Sequence, residues 1–298
     1  MTMSEASMKT AFIGVGQMGH GIVKNLLLKG FDVTALEHPG NQSLEDLLEL
    51  GLKTERTLYD AVHDANVVFL CVPGSPEVEE LMYPHGGVLE SVQPETIIVD
   101  CSTSEPASTA DVAKTAGERG CYFIDAPMTR TPKEAEEGRL NVMLGGEDFV
   151  IDEILPMFEA YAEHIYRCGP PGSGHTMKLL HNFVSLGNAV VLAEAVAAVG
   201  KSGVDTEKFL NVIESGGGDS VVLQRLLPYI REGDDGGFRF SIANATKDMS
   251  YYVAMAEGLK TPTPIARGTR DVYEQARDAG IGGETVPRII DLLQRKGL

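Results

Sequence analysis

Lys178, His181, Asn182 and Ser185 stand at i, i+3, i+4 and i+7 within one long apolar stretch, a spacing that puts all four on one face of a helix. Around them lie Leu179, Leu180, Phe183, Val184 and Leu186, then Ala189-Val190-Val191-Leu192. A helix apolar on its other faces is expected to be enclosed. A polar stripe on it costs several kcal/mol unless its groups find partners, so the stripe is expected to face a polar cleft. An amine in such a cleft is an acid/base group: bringing a lysine from about 10.4 to about 7–8 takes roughly 3–5 kcal/mol of desolvation. Lys178 is therefore expected to take a hydroxyl proton as hydride leaves the same carbon, and to return it in the reverse direction.

The destination of that hydride is written in Gly14-Val15-Gly16-Gln17-Met18-Gly19. The apolar run Ala11-Phe12-Ile13 leads into it, and Ile22 to Leu27 follows at helical period. In a strand-to-helix turn of this kind Gly14 allows the tight bend, Gly16 lets the backbone approach a pyrophosphate, and Gly19 lets the helix pack on the strand. The anion then sits at the positive end of the helix dipole. The ligand this predicts is a dinucleotide. Glu37 ends the next apolar run, 18 residues after Gly19, where a carboxylate accepts hydrogen bonds from the adenosine ribose and repels a 2′-phosphate. No Arg follows in that loop, although His38 softens the preference, so NAD is expected over NADP.

Two further strand ends belong at the ligand edge of an open α/β sheet: Asp100-Cys101-Ser102-Thr103, and Asp125 to Thr131, which contains Arg130. The planar fork of Arg130 suits a carboxylate, sulfonate or phosphate. Cys71-Val72-Pro73-Gly74 ends another strand and is placed on the nicotinamide side. The seven histidines show no metal-ligand spacing, so no metal is expected.

The elements that must position these residues follow from periodicity. Short apolar runs at 9–15, 32–37, 67–72, 97–101, 121–125, 141–145 and 165–168 alternate with helical stretches near 17–29, 43–50, 57–64, 76–82, 105–118 and 147–160. That alternation predicts a Rossmann-type, doubly wound, mostly parallel sheet over residues 8–169. After Gly169-Pro170-Pro171-Gly172 no convincing strand remains. Residues 170–298 are expected to form an all-helical domain for substrate and oligomerisation. A long interdomain helix at about 175–200 joins the two, and shorter helices follow near 205–214, 220–231, 241–258, 264–279 and 286–296. At 298 residues and 43% hydrophobic content the chain can build both cores. A net charge of −18 excludes a basic nucleic-acid or membrane-surface binder. Four cysteines without CxxC pairing read as free thiols in a reducing compartment. No 18-residue apolar run is read, and residues 1–9 lack a signal-peptide pattern, so a cytoplasmic protein is expected.

In order and spacing these motifs resemble the β-hydroxyacid dehydrogenase family typified by 3-hydroxyisobutyrate dehydrogenase. The residues that carry the resemblance are Phe12 to Gly19, Asp100-x-Ser102-Thr103-x-x-Pro106, Asp125-Ala126-Pro127 with Gly138 and Gly145-Gly146, Gly172-x-Gly174-x-x-x-Lys178-x-x-x-Asn182, and Lys247-Asp248. It implies Lys178 as the catalytic residue. Gln17, Met18, Glu37, Val72, Pro73, Thr103 and Lys247 would meet the cofactor, and Ser102, Arg130, Asn182 and Ser185 the substrate, with His181 beside them. Two segments depart from the family pattern. Met128-Thr129-Arg130-Thr131 replaces the usual Val-Ser-Gly-Gly and is similar to the loop of sulfolactaldehyde reductases. Lys-x-x-His-Asn resembles the longer 6-phosphogluconate dehydrogenases.

The activity implied is hydride transfer between NAD and a small 3-hydroxy acid or its semialdehyde. A short sulfonated or phosphorylated aldehyde is the alternative that Arg130 suits. Imine reductases share the scaffold but commonly lack the lysine. A non-catalytic NAD-binding module would likewise lose Lys178, and would carry basic appendages. The expected partners are a small anionic substrate and further copies of the chain, as a homodimer or homotetramer built on the long helix, with neither nucleic acid nor membrane.

Overall fold

The structure is a computed structural model describing residues 8–295. Residues 1–7, within the stretch read for a signal-peptide pattern, and residue 296 of the last expected helix lie outside it. The chain divides into two compact units, 1–178 and 179–298, and the division falls inside the long helix.

Among its described residues the first unit holds nine strands: β1 (Lys9–Ile13), β2 (Asp32–Leu36), β3 (Lys53–Glu55), β4 (Val67–Leu70), β5 (Ile97–Asp100), β6 (Tyr122–Asp125), β7 (Met128–Thr129), β8 (Leu140–Gly145) and β9 (Ala162–Gly169). Their order is β3-β2-β1-β4-β5-β6-β8-β7, with β9 paired to β8. All pairings are parallel except those of β8 with β6 and β7. This is the expected mostly parallel sheet, and its order reverses between β1 and β4, where such sheets bind ligands.

The central strands are buried on both faces because their side chains alternate between two cores. In β4, Val67 and Phe69 join the cluster packed with α1 (Gln17–Leu28), while Val68 and Leu70 join the cluster on the opposite face. Helices α2 (Glu45–Glu49), α3 (Leu58–Val62), α4 (Ser75–Met82), α5 (Val88–Ser91), α6 (Pro106–Glu118), α7 (Pro132–Glu136) and α8 (Asp148–Tyr161) complete the wrapping. Strands β3 and β7 went unanticipated: Lys-Thr-Glu shows no apolar alternation, and two residues are too few for a period.

The long helix α9 (Ser173–Ser202) runs into the second unit, followed by α10 (Thr206–Glu214), α11 (Val221–Glu232), α12 (Ile242–Gly258), α13 (Pro264–Ala276) and α14 (Ile289–Arg295). Asp205, Ser220 and Ser241 cap α10, α11 and α12 by accepting backbone N–H groups. Among the described residues of this unit the only β-type pairing is a single bridge, Ser241 with Thr285, so the all-helical expectation holds. By length and composition α9 is apolar enough to cross a membrane. Much of that apolar surface is spent on the second unit's core, where Leu186, Ala189, Val190, Leu192 and Ala193 are buried. Val184 and Val191 remain exposed, so the helix is not enclosed on every face.

Candidate active site

The three glycines of the first turn do what their spacing predicts. Gly14 has φ +97°, and a Cβ there would lie 2.8 Å from the Cys71 carbonyl carbon. A Cβ on Gly19 would press to 3.0 Å from the Phe12 ring, whereas one on Gly16 would meet nothing within 4 Å. The turn therefore leaves open space at Gly16. The first turn of α1 has no side-chain cap and no acidic residue, so its leading N–H groups are available to an anion. The loop after β2 is tied to this turn: Val15 N–H donates to Asn41 Oδ1 (3.1 Å), and Gln42 N–H to the Val15 carbonyl (2.8 Å).

Glu37 lies just past β2, as expected, but it is not alone. Thr54 donates its hydroxyl to one carboxylate oxygen (2.9 Å), and Arg56 Nε donates to the other (3.3 Å). The loop itself lacks an Arg; the residue just past the end of neighbouring β3 supplies one. His38 is exposed, its Nδ1 accepting from Gly40 N–H (3.0 Å).

At the ends of β4, β5 and β6 the expected strand-end residues sit in or beside a buried polar network. Val72 N–H donates to Ser102 Oγ (3.1 Å), joining two expected site residues across neighbouring strand ends, with Pro73 exposed and Thr103 partly exposed beside them. Asp100 accepts from Ser102 N–H (2.9 Å) and from the Ser104 hydroxyl (3.1 Å). The wholly buried Asp125 carboxylate accepts Gly172 N–H (2.6 Å) and His175 N–H (2.7 Å), so it caps the start of α9 from another element. Burial pushes the Asp125 carboxyl up from its ordinary value, against the pull of His175 and those amides.

His175, with no exposed surface, donates from Nε2 to the Ser102 carbonyl (3.2 Å) and shares Nδ1 with the Thr109 hydroxyl (2.8 Å). Its only mark in the sequence was its place three residues before Lys178 in the glycine-flanked motif. Gly145 and Gly174 make room for this clamp: a Cβ on Gly145 would stand 2.8 Å from Gly174 N, and one on Gly174 2.8 Å from Asp125 Oδ2. Cys71 and Cys101 are inert neighbours. Burial pushes the Cys71 thiol up to about 12 and Cys101 well above its usual value.

Lys178 emerges one turn into α9. It is 8% exposed, and its Nζ donates to the Met128 carbonyl (2.7 Å). Two residues on from Met128, Arg130 adopts φ +84°, a left-handed conformation at one of the positions where Gly is usual in the resembled loop. Its Nη1 is engaged by the Glu163 carboxylate and the Arg139 carbonyl, while Nε and Nη2 carry no hydrogen bond among the described residues.

The remaining expected residues belong to the second unit. Asn182 is buried and donates from Nδ2 to Asp248 Oδ2 (2.6 Å), and Lys247 Nζ lies 3.2 Å from Asp248 Oδ1 and 5.2 Å from the Tyr251 ring centre. Ser185 is partly exposed. His181 corrects the expectation of a uniformly enclosed stripe: it is exposed, and its Nδ1 meets Asn182 Oδ1 at 2.9 Å. The four residues share a helical spacing but not an environment. Among the described residues no group of three His, Cys, Asp or Glu side chains is arranged to hold a metal.

Residues 9–169 match the family model of the NAD binding domain of 6-phosphogluconate dehydrogenase. Residues 172–293 match that described as NAD-binding of NADP-dependent 3-hydroxyisobutyrate dehydrogenase. The chain is 29% identical to 2-(hydroxymethyl)glutarate dehydrogenase of Eubacterium barkeri over 98% of its own length and 96% of the relative's. It is also 29% identical to NAD-dependent L-serine dehydrogenase of Pseudomonas aeruginosa, over 88% and 90%. The Mycobacterium tuberculosis 3-hydroxyisobutyrate dehydrogenase structure with L-serine shares the fold, with a TM-score of 0.86 at 24% identity over 96% of this chain and 99% of that one.

Proposed function

This chain belongs to the β-hydroxyacid dehydrogenase family of the 3-hydroxyisobutyrate dehydrogenase type, and from that premise we propose that it moves hydride between NAD and a small 3-hydroxy acid or its semialdehyde, with Lys178 as the proton-transfer residue. The observation that carries the proposal is the setting of Lys178. Its amine is buried, anchored on the Met128 carbonyl, and borne on a helix whose first turn is clamped by the buried Asp125.

The turn at Gly14, Gly16 and Gly19 fits a dinucleotide, because it leaves space at Gly16 and an uncapped helix start for a pyrophosphate. Gln17, Met18, Glu37, Val72, Pro73, Thr103 and Lys247 would hold the cofactor. When bound, the nicotinamide supplies the hydride acceptor or donor. Lys178 Nζ takes the proton from the substrate hydroxyl in the oxidative direction and gives it back in the reductive one. The Met128 anchor fixes where that proton is handed over. Ser102, His181, Asn182 and Ser185 are assigned to the substrate. Arg130, with Glu163 on Nη1 and Nε and Nη2 uncommitted, is also assigned to the substrate anion; the lysine setting and the relatives, rather than this side chain, support a hydroxy acid over a sulfonated or phosphorylated aldehyde.

The relatives supply the substrate panel: 3-hydroxyisobutyrate, L-serine and 2-(hydroxymethyl)glutarate all carry a hydroxyl on the carbon β to a carboxylate. The test is turnover of each with NAD⁺, followed by reduced-nicotinamide absorbance, in wild type and Lys178→Ala. At least one substrate should turn over, and the variant should lose about a hundredfold or more while still binding nucleotide. A fully active Lys178→Ala protein would refute the assignment.

Association into homodimers or homotetramers is part of this proposal, supported by the exposed Val184, Val191, Val221 and Ile265 of the second unit. Light scattering showing monomers at micromolar concentration would exclude it. Four free thiols support a cytoplasmic setting.

A further inference from the structure

Glu37 and Arg56 are brought together by strand register. β2 and β3 run parallel with Leu36 opposite Glu55, and Glu37 N–H donates to the Glu55 carbonyl (2.8 Å), so the next residue on each strand projects at the same sheet corner. Thr54 on β3 and Arg56 just past its end, two residues apart, both reach the Glu37 carboxylate, taking one oxygen each. The Arg56 side chain is 88% exposed. Its terminal nitrogens carry no hydrogen bond among the described residues, and only Nε is committed to Glu37. The corner assigned to the adenosine ribose therefore presents a carboxylate whose charge is offset, with an outward guanidinium beside it.

We infer that Arg56 sets the breadth of cofactor choice: it cancels the repulsion that Glu37 alone would exert on a ribose 2′-phosphate and offers that phosphate its free fork, so the chain binds NADP as well as NAD. The inference rests on the dinucleotide reading of the glycine turn. The chemistry is that of a guanidinium, whose two terminal N–H groups match two phosphate oxygens while Nε stays on the carboxylate. The ribose hydroxyls of NAD meet Glu37 in either case, so NAD does not need Arg56.

The experiment is calorimetric titration of the full chain with NAD⁺ and with NADP⁺, for wild type, Arg56→Gln and Arg56→Lys. Arg56 is on the surface, so neither substitution disturbs the core. Wild type should bind both nucleotides. Arg56→Gln should weaken NADP⁺ by about tenfold or more, the loss expected for one charge-assisted contact, and leave NAD⁺ within about threefold. Arg56→Lys, which keeps the charge without the fork, should fall between. A wild type that binds NAD⁺ but not NADP⁺, or an Arg56→Gln protein with an unchanged ratio of the two affinities, would overturn the inference. Failure of wild type to bind either nucleotide would instead bring down the dinucleotide reading, and this inference with it.

Discussion

Replacing Gly174 with Ala should damage catalysis through the clamp on α9 while sparing the nucleotide turn. The new methyl would stand 2.8 Å from Asp125 Oδ2 and 2.9 Å from the Asp125 carbonyl oxygen, and would run into the Met143 carbonyl as well. Ordinary contact begins at 3.4 Å, so the start of α9 must move by about 0.6 Å or more away from β6 and β8, since backbone atoms cannot swing aside. Overpacking of this kind costs about 1–3 kcal/mol, and each kcal/mol lowers Tm by roughly 2–4 °C in a chain of this size. Lys178 lies one turn along the same helix and moves with it. A misplacement of about 1 Å costs about a hundredfold in rate, so a shift of this size should lower kcat by about ten- to a hundredfold. Scanning calorimetry reads the first effect, steady-state turnover of whichever panel substrate is accepted reads the second, and NAD⁺ titration should show affinity within about twofold of wild type. A Gly174→Ala protein with wild-type Tm and kcat would show that Asp125 does not hold α9 in the way described.

Gly14→Ala should abolish nucleotide binding in the same titration, because φ +97° and the Cys71 and Val72 atoms leave no place for a methyl; retained affinity would break the link between this turn and the cofactor. Asn182→Asp would set two buried carboxylates where a 2.6 Å hydrogen bond now stands. Two like charges near 4 Å repel by about 4 kcal/mol at moderate dielectric, so Tm should fall at neutral pH and recover on mild acidification as one carboxyl takes a proton. A pH-independent loss would argue for packing instead. His20 lies between Glu136 (2.6 Å) and Asp46 (3.1 Å). Burial alone would lower its pKa, but the two carboxylates outweigh that and raise it above 6.5, so its stabilisation is complete below 6.5 and lost as pH rises through the raised value. Burial alone would raise Glu136, yet the bonds from His20 and Lys24 hold it below its ordinary 4.5, so its share is present above 4.5 and lost as pH falls through that depressed value. Glu136→Gln should therefore cost most between 4.5 and 6.5, about 0.5–1 kcal/mol in this part-exposed setting, and less in alkali. A flat difference in urea midpoint across pH would contradict it.

Which parts of the candidate site were readable follows from how local each requirement is. Gly14, Gly16 and Gly19 answer to a bend, an opening and a close packing within six residues, and all three appear as expected. Lys178 was found because a cation inside an apolar helix stands out, and the structure buries it. His181 was misjudged because periodicity states which residues share a face but not how wide the covered part of that face is; one position away from Asn182 it is already exposed. Arg130 looked like a wholly open fork because the carboxylate that takes its Nη1 is remote in sequence. Its partner Glu163 arrives 33 residues later, on β9.

By itself the amino-acid order determined the alternating strands and helices, the change to an all-helical second half, the glycine turn and the position of the lysine. These are set by φ/ψ freedom, by side-chain period and by burial preference, which act over a few residues. Only the tertiary structure decided who partners whom. Asp125 became the cap of α9 by accepting amides 47 and 50 residues away, His175 was sealed between strand ends and α6, and Arg56 was delivered to Glu37 by the pairing of β2 with β3. Strand order and register fix those pairings, and they come from packing a whole sheet at once, which no short window of sequence contains.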